Sequence, residues 1–325
     1  MNDKKSAGAS SLKRLTNNSI FALFIIYLVL VIYLSFASKY FFTWNNFSNI
    51  GISISVLGIA GMGATMVMFS SGLDLSIGAS MAISCVVISK ISSLEILPWY
   101  LILLIALLVT TCVGLVNGIL ITVFGIHPTI VTLGISNVVR GIAYVISQGM
   151  VISTKSPQIK FFGTGKLFGV IPVPMLLLII AIVLAYLLLK YTTFGRAVYA
   201  IGGSERAAHL AGIDVKKMRL VIFTLTGFLA GISGIILTGL MGSGQASAAT
   251  GYEMDIITAV LLGGASLGGG KGSVLGTALG LLFIGTLNNG MTLLNVDSYW
   301  QIVAKGMVLL IAVIFDSIRK KRAAR

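Results

Sequence analysis

Acidic and titratable side chains are what this chain has least of. Its 325 residues include nine Asp and Glu together, two His and two Cys, and only 10% of it is charged. His127 and His209 stand far apart in the chain, which excludes a metal centre built on the usual ligand spacings. No nucleophile, base and acid fall together either, so no catalytic constellation emerges. Cys85 and Cys112 both lie in apolar runs and are expected to be buried small hydrophobes rather than a disulfide. The string around Lys271 invites comparison with a phosphate loop. It has Ala265 where the first glycine should stand and Gly272 where Ser or Thr is required, so this chain is expected to bind no nucleotide, cofactor or metal.

What the chain has in abundance is apolar sequence. With 57% hydrophobic residues and a mean hydropathy of +1.02, it cannot be an ordinary soluble domain. The formal charge of +14 would suggest nucleic acid in a soluble protein. Here the basic residues collect at the chain ends and in one central loop, which is a topology signal, and no nucleic-acid partner is expected. Ten spans of roughly membrane length are predicted, at 20–37, 50–70, 77–91, 99–124, 128–147, 173–189, 220–240, 254–267, 274–294 and 299–318. The first follows Lys4, Lys5, Lys13 and Arg14 but is long enough to span, so it reads as a retained helix rather than a signal peptide. Spans three and eight are short and flanked by glycine, and either could be a half-helix or a re-entrant element.

An even number of spans places both termini on one side. If that side is the cytoplasm, 16 of the 23 Lys and Arg residues lie there. Lys155, Lys160 and Lys166, in an outer loop, are the exceptions that weigh most. Many of the 38 glycines sit inside spans, among them Gly58, Gly61, Gly63, Gly276, Gly280 and Gly285, which marks those helices as interior, since small residues allow close helix approach. The fold class is therefore all-α, a polytopic membrane helix bundle over 1–325, forming a single domain. Two glycine-rich breaks, 71–79 and 262–272, occupy positions in the two halves that hint at an internal duplication.

The longest polar interruption, 194–217, lies within a loop at about 190–219. Ser204 is a candidate N-cap for a short helix, Glu205 suits its positive end, Gly212 closes it and Asp214 starts the next helix. Ala207, Ala208 and Ala211 would let another surface approach closely. This pattern, with Ala207, Ala208 and Gly212 in the matching places, resembles the coupling loop of the membrane permease subunits of ribose, xylose and galactose type ABC sugar importers. That group falls within a superfamily of branched-chain amino acid and sugar permeases. Ser204 stands where many relatives carry Asn, and both cap helices. The two glycine-rich breaks resemble signature stretches of the same family, so the likeness covers roughly 50–290.

The resemblance implies a non-catalytic permease in the bacterial cytoplasmic membrane, with both termini cytoplasmic, that moves a monosaccharide or small polyol inward. Its partners would be an ATP-binding subunit holding ATP and Mg, a periplasmic substrate-binding protein that sets most of the selectivity, a second permease copy or paralogue, and the lipid bilayer. Ser204, Glu205, Ala207, Ala208 and Gly212 would couple to the ATPase. For the substrate path the residues themselves offer Asn137, Arg140 and Tyr144 on one helical stripe, and Asn288 and Asn289 on another helix. Each group has a plainer alternative: Arg140 snorkels or pairs structurally, and the asparagines bond a neighbouring helix. Asp74 could cap the third span. An ion-coupled secondary transporter is the rival reading, and it would need an intramembrane acid; a membrane-embedded enzyme would need a dyad or metal cluster.

Overall fold

The computed structural model describes residues 19–323, with side chains from 20 to 318. The basic groups at 1–18 and the side chains of the basic tail, on which the orientation expectation leaned, lie outside these. Nine helices among the described residues are long and apolar enough to cross a membrane. They are α1 (Ser19–Ala37), α2 (Trp44–Phe69), α3 (Ile77–Leu94), α4 (Trp99–Val123), α5 (Pro128–Ser147), α7 (Val173–Tyr191), α10 (Val215–Met241), α12 (Val274–Leu293) and α13 (Ser298–Ala323). Four shorter helices complete the chain: α6 (Pro157–Thr164), α8 (Thr193–Gly203), α9 (Glu205–Leu210) and α11 (Tyr252–Leu262).

The third predicted span is thus a full helix, whereas the eighth is not. With 11 residues, α11 is about 16 Å long, roughly half the hydrocarbon core. Residues 242–251, which lead into it, are not helical, so this pass is made half of irregular chain and half of helix. Both described ends nevertheless come to one face. Ala22 and Leu23 of α1 line a cavity with Leu262, Ala265, Phe315 and Asp316. On the same side the Gly270 N–H donates to the Phe69 carbonyl at 2.9 Å, beneath the end of α8. This side is called the α9 face below.

The opposite face is covered by α6 and two minimal antiparallel ladders. One pairs β1 (Ile152–Ser153) with β4 (Ser243–Gly244), Ile152 opposite Gly244; the other pairs β2 (Lys166–Leu167) with β3 (Ile171–Pro172). Burial divides the bundle. The best spanning window of α2 is 89% buried and that of α3 78%, against 11% for α1 and 6% for α13. The inner helices are those rich in Gly, Ala, Ser and Thr, since lipid tails give no hydrophobic drive between helices and only close backbone approach is favourable. Gly63 lies against Thr226, and Gly114 against Gly227. Many of the hydroxyls carried into this interior bond within their own helices, as when Ser55 donates to the Gly51 carbonyl and Thr65 to that of Gly61, while Ser84 reaches the Gly231 carbonyl of α10. Cys85 is buried, but Cys112 is exposed, because α4 turns Thr110 and Gly114 rather than Cys112 toward α10.

A duplication is visible in the order of elements, but not between the segments expected. In each half a long helix (α2, α10) is followed by an irregular break (70–76, 242–251), a helix starting inside the bundle (α3, α11) and two further helices. The halves run in opposite senses. Each long helix packs against the broken pass of the other half, α10 on α3 and α2 on α11. The segment 262–272 follows its short helix instead of preceding it. It is a neighbour of 71–79 on the α9 face, not its counterpart.

Candidate functional site

The chain leaves α7 through Thr192, whose hydroxyl accepts from the Gly195 N–H and caps α8. Ser204 then caps α9, accepting from the Ala207 N–H at 3.3 Å, and Asp214 caps α10, accepting from the Lys217 N–H at 3.0 Å. Between them Gly212 has φ +83°, a left-handed conformation that suits glycine and ends α9. Glu205 receives both nitrogens of the Arg219 guanidinium, at 3.1 and 2.8 Å, which ties the start of α9 to α10. The five residues proposed for coupling are therefore contiguous, but they do not share one face. Ala207 is exposed, as is Leu210, at 80%; Ala208 is 3% exposed and packs on Ile201 and Val215. A six-residue helix lying against the bundle must bury one side, and Ala208 is on it. Its small size lets α9 pack closely on Ile201 and Val215, and the surface that α9 leaves open is at Ala207 and Leu210. The open side presents Arg206, His209 and Lys216 around a concavity of about 760 Å³.

Beneath α9 three breaks meet. The end of α2, the C-terminus of α8 and the loop 268–272 touch through backbone: a Cβ at Gly202 would collide with the Phe69 carbonyl oxygen and the Gly270 nitrogen. Tyr199 stacks on Phe69 at 5.1 Å between centroids, and its hydroxyl donates to the Gly272 carbonyl at 3.2 Å. The first break continues from here into the interior. Asp74 accepts from the N–H and the hydroxyl of Ser76, at 2.8 and 2.6 Å, and so forms the turn before α3 rather than capping the helix itself. Asn117 donates to the Ser76 hydroxyl, and Thr132 ties the Leu75 N–H and the Leu73 carbonyl. Burial pushes the Asp74 carboxyl above its usual range, opposed by the two Ser76 hydrogen bonds.

The second break is held differently. Arg140, on α5, donates to the carbonyls of Ala246 and Ala248 at 2.8 and 3.2 Å and to the Thr250 hydroxyl at 3.1 Å. Its guanidinium replaces the hydrogen bonds that an irregular backbone lacks, so the structural alternative for this residue holds in full. Asn137 and Tyr144 are exposed on the same helix, and so are Thr250, which Arg140 bonds, and Ser247 in the break. The result is a polar strip about halfway along α5, on a helix whose other exposed positions include Leu133, Val138, Ile142 and Val145. Asn288 and Asn289 do not join it. They are on α12, which packs on α1, α2, α7 and α11, whereas α5 packs on α3 and α4. Asn289 donates to Asn46 of α2 at 2.8 Å, which makes it at least in part a helix-packing residue.

Two functional groups escaped the sequence reading. Lys305, inside α13, pairs with Asp255 at 2.7 Å, and the Asp255 side chain is only 7% exposed. Glu253 is half-buried at the start of α11, and its Oε2 is buried without a hydrogen-bond partner. In the sequence alone both acids suit the first turn of a helix and nothing more. No local spacing connects Asp255 to a lysine on another helix, although a lone Lys inside a span was signal enough to look for an acid.

Residues 46–313 match the family described as branched-chain amino acid transport system / permease component. Among curated proteins the chain is similar to the ribose import permease protein of Bacillus subtilis, 40% identical over 91% of both chains. It resembles that of Haemophilus influenzae at 38% over 90% of this chain and 92% of the relative. The L-arabinose transport system permease protein of Escherichia coli is 37% identical over 93% of this chain and 91% of its own length. No solved structure matches the chain.

Proposed function

Because this chain belongs to the branched-chain amino acid transport system / permease component family, we propose that it is the multi-pass permease subunit of an ABC importer for a neutral monosaccharide. The sugar class is supported by the ribose and arabinose relatives, which align over about nine-tenths of the chain. The structural observation that carries the coupling role is the seat of α9. It is capped at its start, closed by Gly212, and set directly over the junction where α2, α8 and the loop 268–272 touch. An ATP-binding subunit with Mg-ATP would press on the open side of α9, at Ala207, Leu210 and the basic rim. A displacement there would reach the end of α2 and the loop 268–272 through the backbone contacts of Gly202.

The substrate path is placed along the polar strip of Asn137, Ser247 and Thr250. Polar groups halfway through an apolar bundle are costly against lipid, so water or a second permease copy must face them. A periplasmic binding protein would deliver sugar to the opposite face. In this orientation the α9 face and both termini are cytoplasmic.

One observation favours the rival, ion-coupled reading: Glu253 is an acid inside the bundle with an unpartnered oxygen. Uptake of labelled ribose and arabinose into proteoliposomes separates the two. Importer function predicts uptake only with the ATPase subunit, binding protein and ATP. Uptake driven by an imposed proton or sodium gradient without them would overturn the proposal.

A further inference from the structure

Glu253 has a position that neither helix capping nor ion pairing explains. Glu253 stands in the first turn of α11, and its carboxyl reaches across to α3. There it occupies the place a side chain at Gly78 would take: a Cβ on Gly78 would collide with Oε2. Only glycine at 78 lets an acid of the second half lie against the first turn of the α3 helix. Oε2 is buried and has no donor. Arg140 is near enough to act on this carboxyl electrostatically, yet its donors go to Ala246, Ala248 and Thr250. The other candidate, Lys305, is committed to Asp255. An acceptor is thus held against the first turn of α3, with no donor of the described residues directed at it.

Such an oxygen in a low-dielectric interior calls for a donor that comes and goes, because an unpaired buried acceptor is unfavourable. A neutral polyol carries several O–H donors and no charge. A carboxylate at this point would accept from them, whereas it would repel the carboxylate of an amino acid. We infer that Glu253 is the residue that reads the passing solute, accepting hydrogen bonds from sugar hydroxyls at the inner end of the second break, beside the strip of Asn137, Ser247 and Thr250. This rests on the importer reading. It divides the two substrate classes that the family description and the relatives' names offer, in favour of polyhydroxylated solutes.

The test uses the full complex in proteoliposomes, with ribose, arabinose and leucine as probes. Glu253→Met keeps length and apolar contact but loses the acceptors; Glu253→Gln keeps one acceptor oxygen. Glu253→Met is expected to assemble with its partners, while ribose uptake per complex falls about tenfold or more. Glu253→Gln should recover most of that loss, a rescue that a merely structural role for the charge would not give. Normal uptake by assembled Glu253→Met, or failure of that variant to assemble, overturns the assignment and leaves the importer reading intact. Leucine uptake in place of ribose and arabinose by the unaltered chain would instead overturn the sugar class itself, and Glu253 with it.

Discussion

The two breaks in the bundle are built alike and held unlike. The first, 70–76, is sewn into the interior by side chains of several elements: Asp74 and Ser76 from within, Asn117 from α4 and Thr132 from α5. The second, 242–251, is partly exposed and hangs mainly on one guanidinium, that of Arg140, with its start pinned by the pairing of β4 with β1. Below it, α11 is fixed to α13 by Lys305 and Asp255. A break that is tied from every side is an anchor. One that is held at two points, by the Arg140 guanidinium and by the β1–β4 ladder, above a firmly held helix, has fewer side-chain ties to break.

Four substitutions would break or sharpen this contrast. Lys305→Met should have the largest effect, since it leaves Asp255 buried and unpaired at a cost of about 3 kcal/mol. Thermal unfolding of the purified chain in detergent would read this, and Asp255→Asn in the same chain should return much of it. Asp74→Ala comes next, because the N–H and hydroxyl of Ser76 lose a buried acceptor, at a cost of about 1–3 kcal/mol. If Asp74→Ala unfolds at the native temperature, the first break is no anchor. Arg140→Ala should lower the melting temperature less than Asp74→Ala, because the carbonyls it releases lie nearer the exposed strip. It should nonetheless free the second break. A cysteine at Ser247, in a background without Cys85 and Cys112, would then react faster with a thiol reagent, and equal rates would mean that the clip does not hold. The smallest effect is expected away from both breaks: Ser204→Ala removes one N-cap from α9, about 1 kcal/mol, and should weaken retention of the ATPase subunit without altering the stability of the bundle.

Much of this was legible before any coordinates. The ten passes, the caps at Ser204 and Asp214 and the closing role of Gly212 follow from hydropathy and local hydrogen-bonding preferences, which are properties of a few neighbouring residues. The second break escaped because GSGQASAATG reads as an ordinary connection: small residues with no periodicity give no sign that the chain turns back into the bundle. Arg140 could be recognised as out of place, but its partners are carbonyl oxygens, which every residue type carries. Ala208 shows a different limit. A six-residue helix is too short for a pattern of apolar positions to tell which side faces inward. A duplication was hinted at by glycine content, yet the wrong segments were paired and the inversion of the halves was missed, since direction through the bundle is not written in composition.

The contact of Gly202 with Phe69 and Gly270 has a mechanical consequence. Most interfaces inside proteins are padded: when one element shifts, side chains between it and the next change rotamer and take up part of the movement. At this joint main chain rests on main chain, and the one large group nearby, the Phe69 ring, is clasped by Tyr199. There is no soft layer to compress. On the coupling role proposed above, a stroke delivered to α9 would be handed through the end of α8 to the foot of α2 without slack, as through the teeth of a gear rather than a spring. A single methyl group added at Gly202 would act like grit in that gear, because it could be seated only by forcing the main chain at Phe69 and Gly270 aside.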